Sequence, residues 1–276
     1  MEYTDFVKAM HREVRGQMEP DVAVEIHTAI KNNSALRTGL VFIKKDVNIA
    51  PTIYLEEFYE QYLEGASVQE MAQTIHSIYE KISLKNSYPY NNILKFENIK
   101  DKIVYKLIHK ESNLELLREI PYEEYLDLAV VFYILLDHTG FGPATILIRS
   151  EHMLRWNVTK EEISRLAKEN TPKLLPMDLG ILADTMYVVT NQTRNLGAAV
   201  MLYPDTWEKV AALIGEDFYI LPSSIHELIV VPESIGMNRL QLENMVEEIN
   251  QTEVEQEEIL SNTVYRYIRK EKRVIF

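Results

Sequence analysis

The longest apolar run of the chain is Leu128–Leu136, which carries no charged side chain. Side chains of a strand alternate between its two faces, so this run is apolar on both faces and is expected in the middle of a sheet. It is far shorter than the roughly 18 residues that a membrane-spanning helix requires. A chain of 276 residues is long enough to bury such a strand in one large core or in two ordinary ones.

Strand hairpins flanked by helices recur along the chain. Apolar residues alternate from Val22 to Ile26, and a polar turn leads to a second strand around Leu40–Ile43. Helical spacing predicts a helix from about Ile53 to Glu64, and Ser67 with Glu70 forms the capping box of the next helix. The pattern predicts an α+β fold of antiparallel strand hairpins flanked by helices, arranged as two or three similar ββα-type units.

Residues Ser83–Asn92 are the best candidate for a linker, because Asn, Ser and Pro interrupt the helical periodicity there. We therefore expect an N-terminal α+β segment over residues 1–84 and a C-terminal α+β segment over residues 93–276, with one compact unit as the alternative. Beyond the linker, a helix is predicted over about Phe96–Lys110, followed by the strand Tyr125–Leu136.

The last third of the chain repeats this organisation. Met186–Thr190 and Ala198–Tyr203 are predicted to pair as strands across a polar loop. Three further strands are predicted over Phe218–Leu221, Glu227–Val231 and Val264–Ile268.

Composition excludes several classes of function. The chain has no cysteine, so thiolate metal sites, disulfides and thiol nucleophiles are ruled out. Its nine glycines form neither a dinucleotide fingerprint nor a P-loop. The seven histidines show no metal-binding spacing, so we expect no metal and no cofactor.

Charge and the amino terminus bear on partners and location. The net charge of −13 repels a phosphate backbone, so a protein partner is favoured over nucleic acid. The charged residues of Met1–Gly16 leave no apolar secretory segment, so we expect a cytoplasmic protein that does not contact a membrane. The basic tail Arg266–Arg273 is interpreted as a solvated terminal strand, with docking to an acidic partner as the alternative.

Ser223, Ser224, His226 and Glu227 place hydroxyls, a base and a carboxylate in one short tract. If Glu227 begins a strand, His226 and Glu227 point to opposite faces, so this acid cannot orient this histidine. The tract also lacks the Gly-x-Ser-x-Gly sequence that exposes a nucleophilic serine. We favour a structural turn whose hydroxyls bind nearby backbone, with a ligand or partner site as the alternative.

The loop Asn191–Asn195 is a second candidate binding site, with Asn191 and Arg194 as the candidate residues. Polar loops at the end of a buried strand often carry binding residues. The competing interpretation, which we prefer, is a hairpin connection whose side chains satisfy its own backbone.

Five tracts are similar to those of a known family, and together they span most of the chain: Tyr54–Tyr59, Ile120–Tyr122, Asp127–Val131, Ala167–Thr171 and Leu221–Glu227. They resemble a family of uncharacterised proteins from gut Firmicutes (Clostridia), domain of unknown function 5688. It implies a bacterial cytoplasmic protein, and it implies no activity, cofactor or catalytic residue.

Two functions are therefore compared. The first is a non-enzymatic protein-binding or regulatory module, favoured by the missing catalytic motifs, the acidity and the 16 tyrosines. The second is a hydrolase or small-ligand-binding protein with Ser224 as nucleophile, His226 as base, and Asp178 or Asp184 orienting the histidine. The oligomeric state is left open by the sequence.

Overall fold

The computed structural model describes residues 1–45, 47, 50–83, 95–136, 144–183 and 185–276. These residues divide into two compact units. The first contains Met1–Lys31 and the described residues from Ala35 to Ser83. The second contains Asn32–Ser34 and the described residues from Lys95 to Phe276. The predicted linker lies almost wholly outside the described residues, so the boundary stays a prediction.

Among its described residues, the first unit combines three α-helices with an antiparallel sheet in the order β1-β2-β3. Its elements are α1 (Tyr3–Gln17), β1 (Val22–Ile30), β2 (Leu36–Lys44), β3 (Thr52–Tyr54), α2 (Glu56–Leu63) and α3 (Val68–Ile82). The predicted hairpin is confirmed, with Val24 opposite Phe42. The capping box of Ser67 and Glu70 is confirmed as well.

Helical spacing of apolar residues builds the core of the first unit. In α1 the buried residues Phe6, Met10 and Val14 lie on one face. They join one core cluster with Leu40 of β2 and Ile75 of α3. Burying a side chain of this size contributes about 1.5–3 kcal/mol, so this shared core holds the helices to one face of the sheet.

The second unit contains two antiparallel sheets and five helices among its described residues. The elements up to its middle are β4 (Ile103–His109), α4 (Leu114–Leu117), β5 (Tyr122–Tyr125), β6 (Leu128–Leu136), β7 (Ala144–Leu147), α5 (Ser150–Trp156), α6 (Lys160–Leu174) and β8 (Met177–Ala183). The remaining elements are β9 (Met186–Asn191), α7 (Thr206–Ile214), β10 (Phe218–Leu221), β11 (Leu228–Pro232), α8 (Arg239–Thr252), β12 (Tyr265–Ile268) and β13 (Arg273–Ile275).

The apolar run Leu128–Leu136 forms β6, which is central in its sheet as predicted. It pairs with β4 on one side and with β5 and β7 on the other. All of its residues except Leu135 are buried. The other sheet has the order β13-β12-β10-β11-β9-β8. Antiparallel hairpins with flanking helices confirm the α+β class.

Two predicted elements are wrong. The segment predicted as a helix over Phe96–Lys110 contains short 3-10 turns followed by strand β4. Five of the seven residues of β4 are buried, so apolar residues occupy both faces of the strand, and such a run fits helical spacing as well. The segment predicted as a strand over Ala198–Tyr203 is a buried 3-10 helix, Gly197–Leu202, and β9 pairs instead with β8 and β11.

The strand predicted over Tyr125–Leu136 is also shorter than expected. A two-residue turn, Leu126–Asp127, separates β5 from β6, and Leu126 has a positive φ of 54°. The sequence also predicts a turn over Asp137–Pro143, and these residues lie outside the described part of the chain.

Candidate functional site

The Ser223–Glu227 tract connects β10 to β11, and its main chain is hydrogen-bonded to a distant segment. The N–H of Ile225 donates to the carbonyl of Glu258 at 2.8 Å. The carbonyl of Ser223 accepts from the N–H of Leu260 at 3.1 Å. These bonds fix the backbone of the tract as a short strand-like connection.

The Ser224 hydroxyl is used within the turn. Its Oγ accepts the backbone N–H of His226 at 3.1 Å, the pattern of a serine turn. The carbonyl of His226 accepts the hydroxyl of Thr190 at 2.7 Å. Within the described part of the chain, no hydrogen bond joins the Ser224 hydroxyl to the His226 ring. This arrangement favours the structural interpretation of the turn over the hydrolase interpretation.

The imidazole of His226 binds backbone on one side and a carboxylate on the other. Its Nδ1 accepts the N–H of Leu196 at 3.1 Å, and its Nε2 lies 3.3 Å from Oε1 of Glu258. Because Nδ1 is an acceptor, the neutral ring carries its proton on Nε2, facing Glu258. The ring therefore holds Leu196, a residue with φ of 53°, in a left-handed conformation.

The acids that the sequence analysis paired with His226 lie elsewhere. Asp178 is 4.0 Å from the guanidinium of Arg194, and Asp184 lies outside the described residues. Ser223 and Glu227 are half-buried, and neither side chain bonds to another described residue. Glu258, the acid that does face His226, was missed because it is far along the chain.

Asn191 organises the Asn191–Asn195 loop from inside. Its side chain is fully buried. Its Oδ1 accepts both the N–H of Thr193 at 3.1 Å and the Thr193 hydroxyl at 2.7 Å, and its Nδ2 donates to the carbonyl of Asn195 at 2.9 Å. These contacts are those of a self-satisfied loop. Arg194 differs, since its side chain is 73% exposed and remains accessible to a partner.

The structure brings the two predicted tracts together. His226 contacts Thr190, at the end of β9, and Leu196, just beyond the loop. The serine turn and the polar loop thus form one surface region, which sequence analysis treated as two. Most of its polar atoms hold backbone in place, so the region is primarily structural.

A polar cluster around Asp127 was not found from the sequence. The carboxylate accepts the hydroxyl of Tyr265 at 2.5 Å and that of Ser261 at 2.6 Å. Nε2 of His109 is 3.9 Å from it, and Nδ1 of the same ring contacts the Ser112 hydroxyl at 2.8 Å. Burial, together with the adjacent carboxylate, raises the pKa of Tyr265.

The Asp127 cluster has the residue types of a Ser-His-Asp triad without its geometry. A distance of 3.9 Å is too long for a hydrogen bond, so Asp127 does not orient the His109 ring. Both carboxylate oxygens already accept hydroxyls. The cluster therefore ties the β5–β6 turn to the segment Ser261–Tyr265. Among the described residues, no group of three or more acidic or histidine side chains is placed to hold a metal ion.

One edge of strand β1 pairs with no other described strand of the first unit. Asp21 accepts a bond from Lys45, and Lys31 donates one to Ala35, so the odd-numbered residues face β2. The even-numbered residues turn their N–H and C=O groups to the other side. There the carbonyl of Val24 accepts Nε2–H of His11 at 2.9 Å.

Beyond Val24, the main chain of Ile26, Thr28 and Ile30 finds no partner on that side among the described residues. We call Ile26–Ile30 the free edge. It begins where His11 occupies the Val24 carbonyl, and it ends where Lys31 enters the hairpin connection. Because an unpaired strand edge is a template for another strand, the free edge is a further candidate site.

Apolar side chains accompany the free edge. Ile26 is 43% exposed, Ile30 is 68% exposed, and Leu36, which faces Ile30 across the hairpin, is 65% exposed. A groove of about 800 Å³ adjoins the start of β1, and Arg15 and Met18, at the C-terminal end of α1, line part of it. Exposed apolar side chains thus flank the free edge, and both charged and apolar side chains line the groove beside it.

The chain belongs to a family of unknown function, DUF5688, whose model matches residues 3–185 and 178–269. No curated protein and no solved structure matches the chain. Within the described residues, no helix is both long and apolar enough to cross a membrane.

Proposed function

We propose that the protein is a protein-binding module whose docking site is the free edge of β1. The observation that carries the proposal is that three successive edge-facing residues, Ile26, Thr28 and Ile30, leave their N–H and C=O groups unpaired among the described residues. An extended segment of another chain can add to such an edge as a further strand. The occupant is therefore a β-strand of a protein partner.

The surroundings of the edge specify the chemistry of that strand. Main-chain hydrogen bonds supply affinity, and alternate side chains supply specificity. Because Ile26 and Ile30 are exposed on one face together with Leu36, the partner strand should present apolar residues at alternate positions. Natural proteins usually blunt exposed edges with charges or proline, and the edge-facing positions here carry neither.

The alternative hydrolase function lacks comparable support. The Ser224 hydroxyl accepts a backbone N–H, and Nδ1 of His226 is occupied by Leu196. Arg194, Ser223 and Glu227 are accessible and stay candidates for partner contact beside the main site. An origin in gut Firmicutes, a cytoplasmic location and the absence of a nucleic-acid partner also stay predictions.

The test compares Thr28→Pro with Thr28→Val. Proline removes the N–H that faces the open side and leaves the ladder to β2 intact, because odd-numbered residues form that ladder. Valine keeps the N–H and serves as the matched control. Tagged wild-type and variant proteins are incubated with lysate of the source cells, and amide hydrogen exchange is measured on each captured complex.

We expect wild type and Thr28→Val to retain the same partner, and Thr28→Pro to lose it. In the complex, the amides of Ile26 and Ile30 should exchange more slowly. Equal capture by Thr28→Pro, unchanged exchange at these amides, or no captured chain at all would count against the proposal.

A further inference from the structure

We infer that the strand which docks on the free edge is β1 of a second copy of the chain. The inference rests on the proposed function and names its partner. The free edge spans Ile26–Ile30 and is centred on Thr28. A second free edge placed antiparallel about a two-fold axis at Thr28 therefore matches it from end to end.

This register pairs every unpaired edge group. Ile26 lies opposite Ile30 of the second copy, Thr28 lies opposite its own counterpart, and Ile30 lies opposite Ile26. Each of these is a hydrogen-bonded antiparallel pair that exchanges two N–H···O=C bonds. The ladder extends no further, because His11 already occupies the Val24 carbonyl at 2.9 Å. The free edge is thus self-complementary in its backbone.

Charge on the outer face selects the same register. Pairing about Thr28 puts Glu25 directly opposite Lys31 of the second copy, twice per dimer. Among the described residues, neither Glu25 nor Lys31 forms an ion pair. The Lys31 ammonium lies 4.4 Å from the ring centre of Tyr54, on the same face of the sheet. Two opposite charges that form no ion pair with a described residue of their own chain are therefore brought together between copies.

Apolar contact on the inner face completes the pairing. Ile26 and Ile30 are exposed in one copy, and each becomes the cross-strand neighbour of the other in the pair. The Leu36 side chains flank them. The interface is small, since five residues of each strand take part, and it belongs to the weak class of association. Dimerisation should therefore depend strongly on concentration.

The experiment is sedimentation equilibrium of the full-length protein from about 5 to about 500 μM, a range suited to a small interface. Wild type is compared with Glu25→Lys, Lys31→Glu and the double variant. Each single reversal places two like-charge pairs across the two-fold axis and should weaken dimerisation roughly tenfold or more. The double reversal restores opposite charges and should return the dissociation constant to within about threefold of wild type.

Thr28→Pro should abolish the dimer, and Thr28→Val should keep it. Melting curves of all variants establish that each is folded. A wild type that stays monomeric at the highest concentration overturns the inference, as does a dimer that Thr28→Pro leaves intact. A dimer whose charge reversals do not rescue each other overturns this register. A monomer that still captures a different chain through Ile26–Ile30 leaves the proposed function standing and removes only this partner.

Discussion

Removal of one hydroxyl from the Asp127 cluster should destabilise the second unit measurably. Tyr265 is fully buried, and its hydroxyl donates to Asp127 at 2.5 Å. A hydrogen bond to a charged group contributes about 1.5–3 kcal/mol. The Asp127 side chain is 20% exposed and retains the Ser261 donor in the variant, so water offsets part of the loss. We expect Tyr265→Phe to cost about 2 kcal/mol of unfolding free energy.

The assay is urea and thermal unfolding of the full chain, followed through the transition of the second unit. For a unit of this size, about 2 kcal/mol corresponds to a fall in Tm of about 4–8 °C. Tyr125→Phe is the matched control, because Tyr125 is nearby and its hydroxyl bonds to no described residue. The control should change the free energy of unfolding by less than about 0.5 kcal/mol.

A double-mutant cycle isolates the interaction itself. In an Asp127→Asn background the acceptor is uncharged, so Tyr265→Phe should cost about 1 kcal/mol less than in wild type. If Tyr265→Phe and Tyr125→Phe have equal effects, or if the cycle shows no coupling, the assigned role of the cluster is wrong.

Two further predictions concern the same unit. Its stability should fall as the pH rises above about 10, because burial raises the folded pKa of several tyrosines above the unfolded value of 10.0, so the unfolded state loses protons first. In urea titrations between about pH 9 and about pH 11, the loss of unfolding free energy should steepen through about pH 10 and approach about 1.4 kcal/mol per pH unit for each such group by about pH 11, and a flat profile would contradict the assignment to Tyr105, Tyr133 and Tyr203. At the serine turn, His226→Ala should lower the unfolding free energy by about 1–2 kcal/mol and Ser224→Ala by about 0.5–1 kcal/mol. His226→Asn keeps an acceptor for the N–H of Leu196, so it should lower the unfolding free energy less than His226→Ala does. Unchanged thermal midpoints for both alanine variants would refute the structural role.

Local signals predicted the parts of the fold in which one face is buried or both faces are plainly apolar. The β1–β2 hairpin alternates clearly, and Leu128–Leu136 is apolar throughout. The same reasoning wrongly predicted a helix for Ile103–His109, because the segment is buried on both faces and its apolar residues also fit helical spacing. Gly197–Leu202 is short and apolar, and such a run does not distinguish a strand from a buried 3-10 turn.

Site prediction failed where distant segments meet. The serine turn was found from its residue types, whereas its acid, Glu258, comes from a segment that only the fold brings near. Asp127 and Tyr265 are separated in the same way. The free edge left no signal either, because alternation along β1 shows which face is buried and not which side lacks a neighbour.

The sheet of the first unit has two unequal sides, and this limits how far an assembly can grow. The edge strand opposite β1 is β3, which has only three residues, Thr52–Tyr54, and therefore few main-chain groups with which another strand could pair. Pairing through β1 uses the longer edge of both copies in one symmetric interface, so no β1 edge is left for a third copy. A concentrated solution of the protein should therefore contain discrete pairs and no fibres.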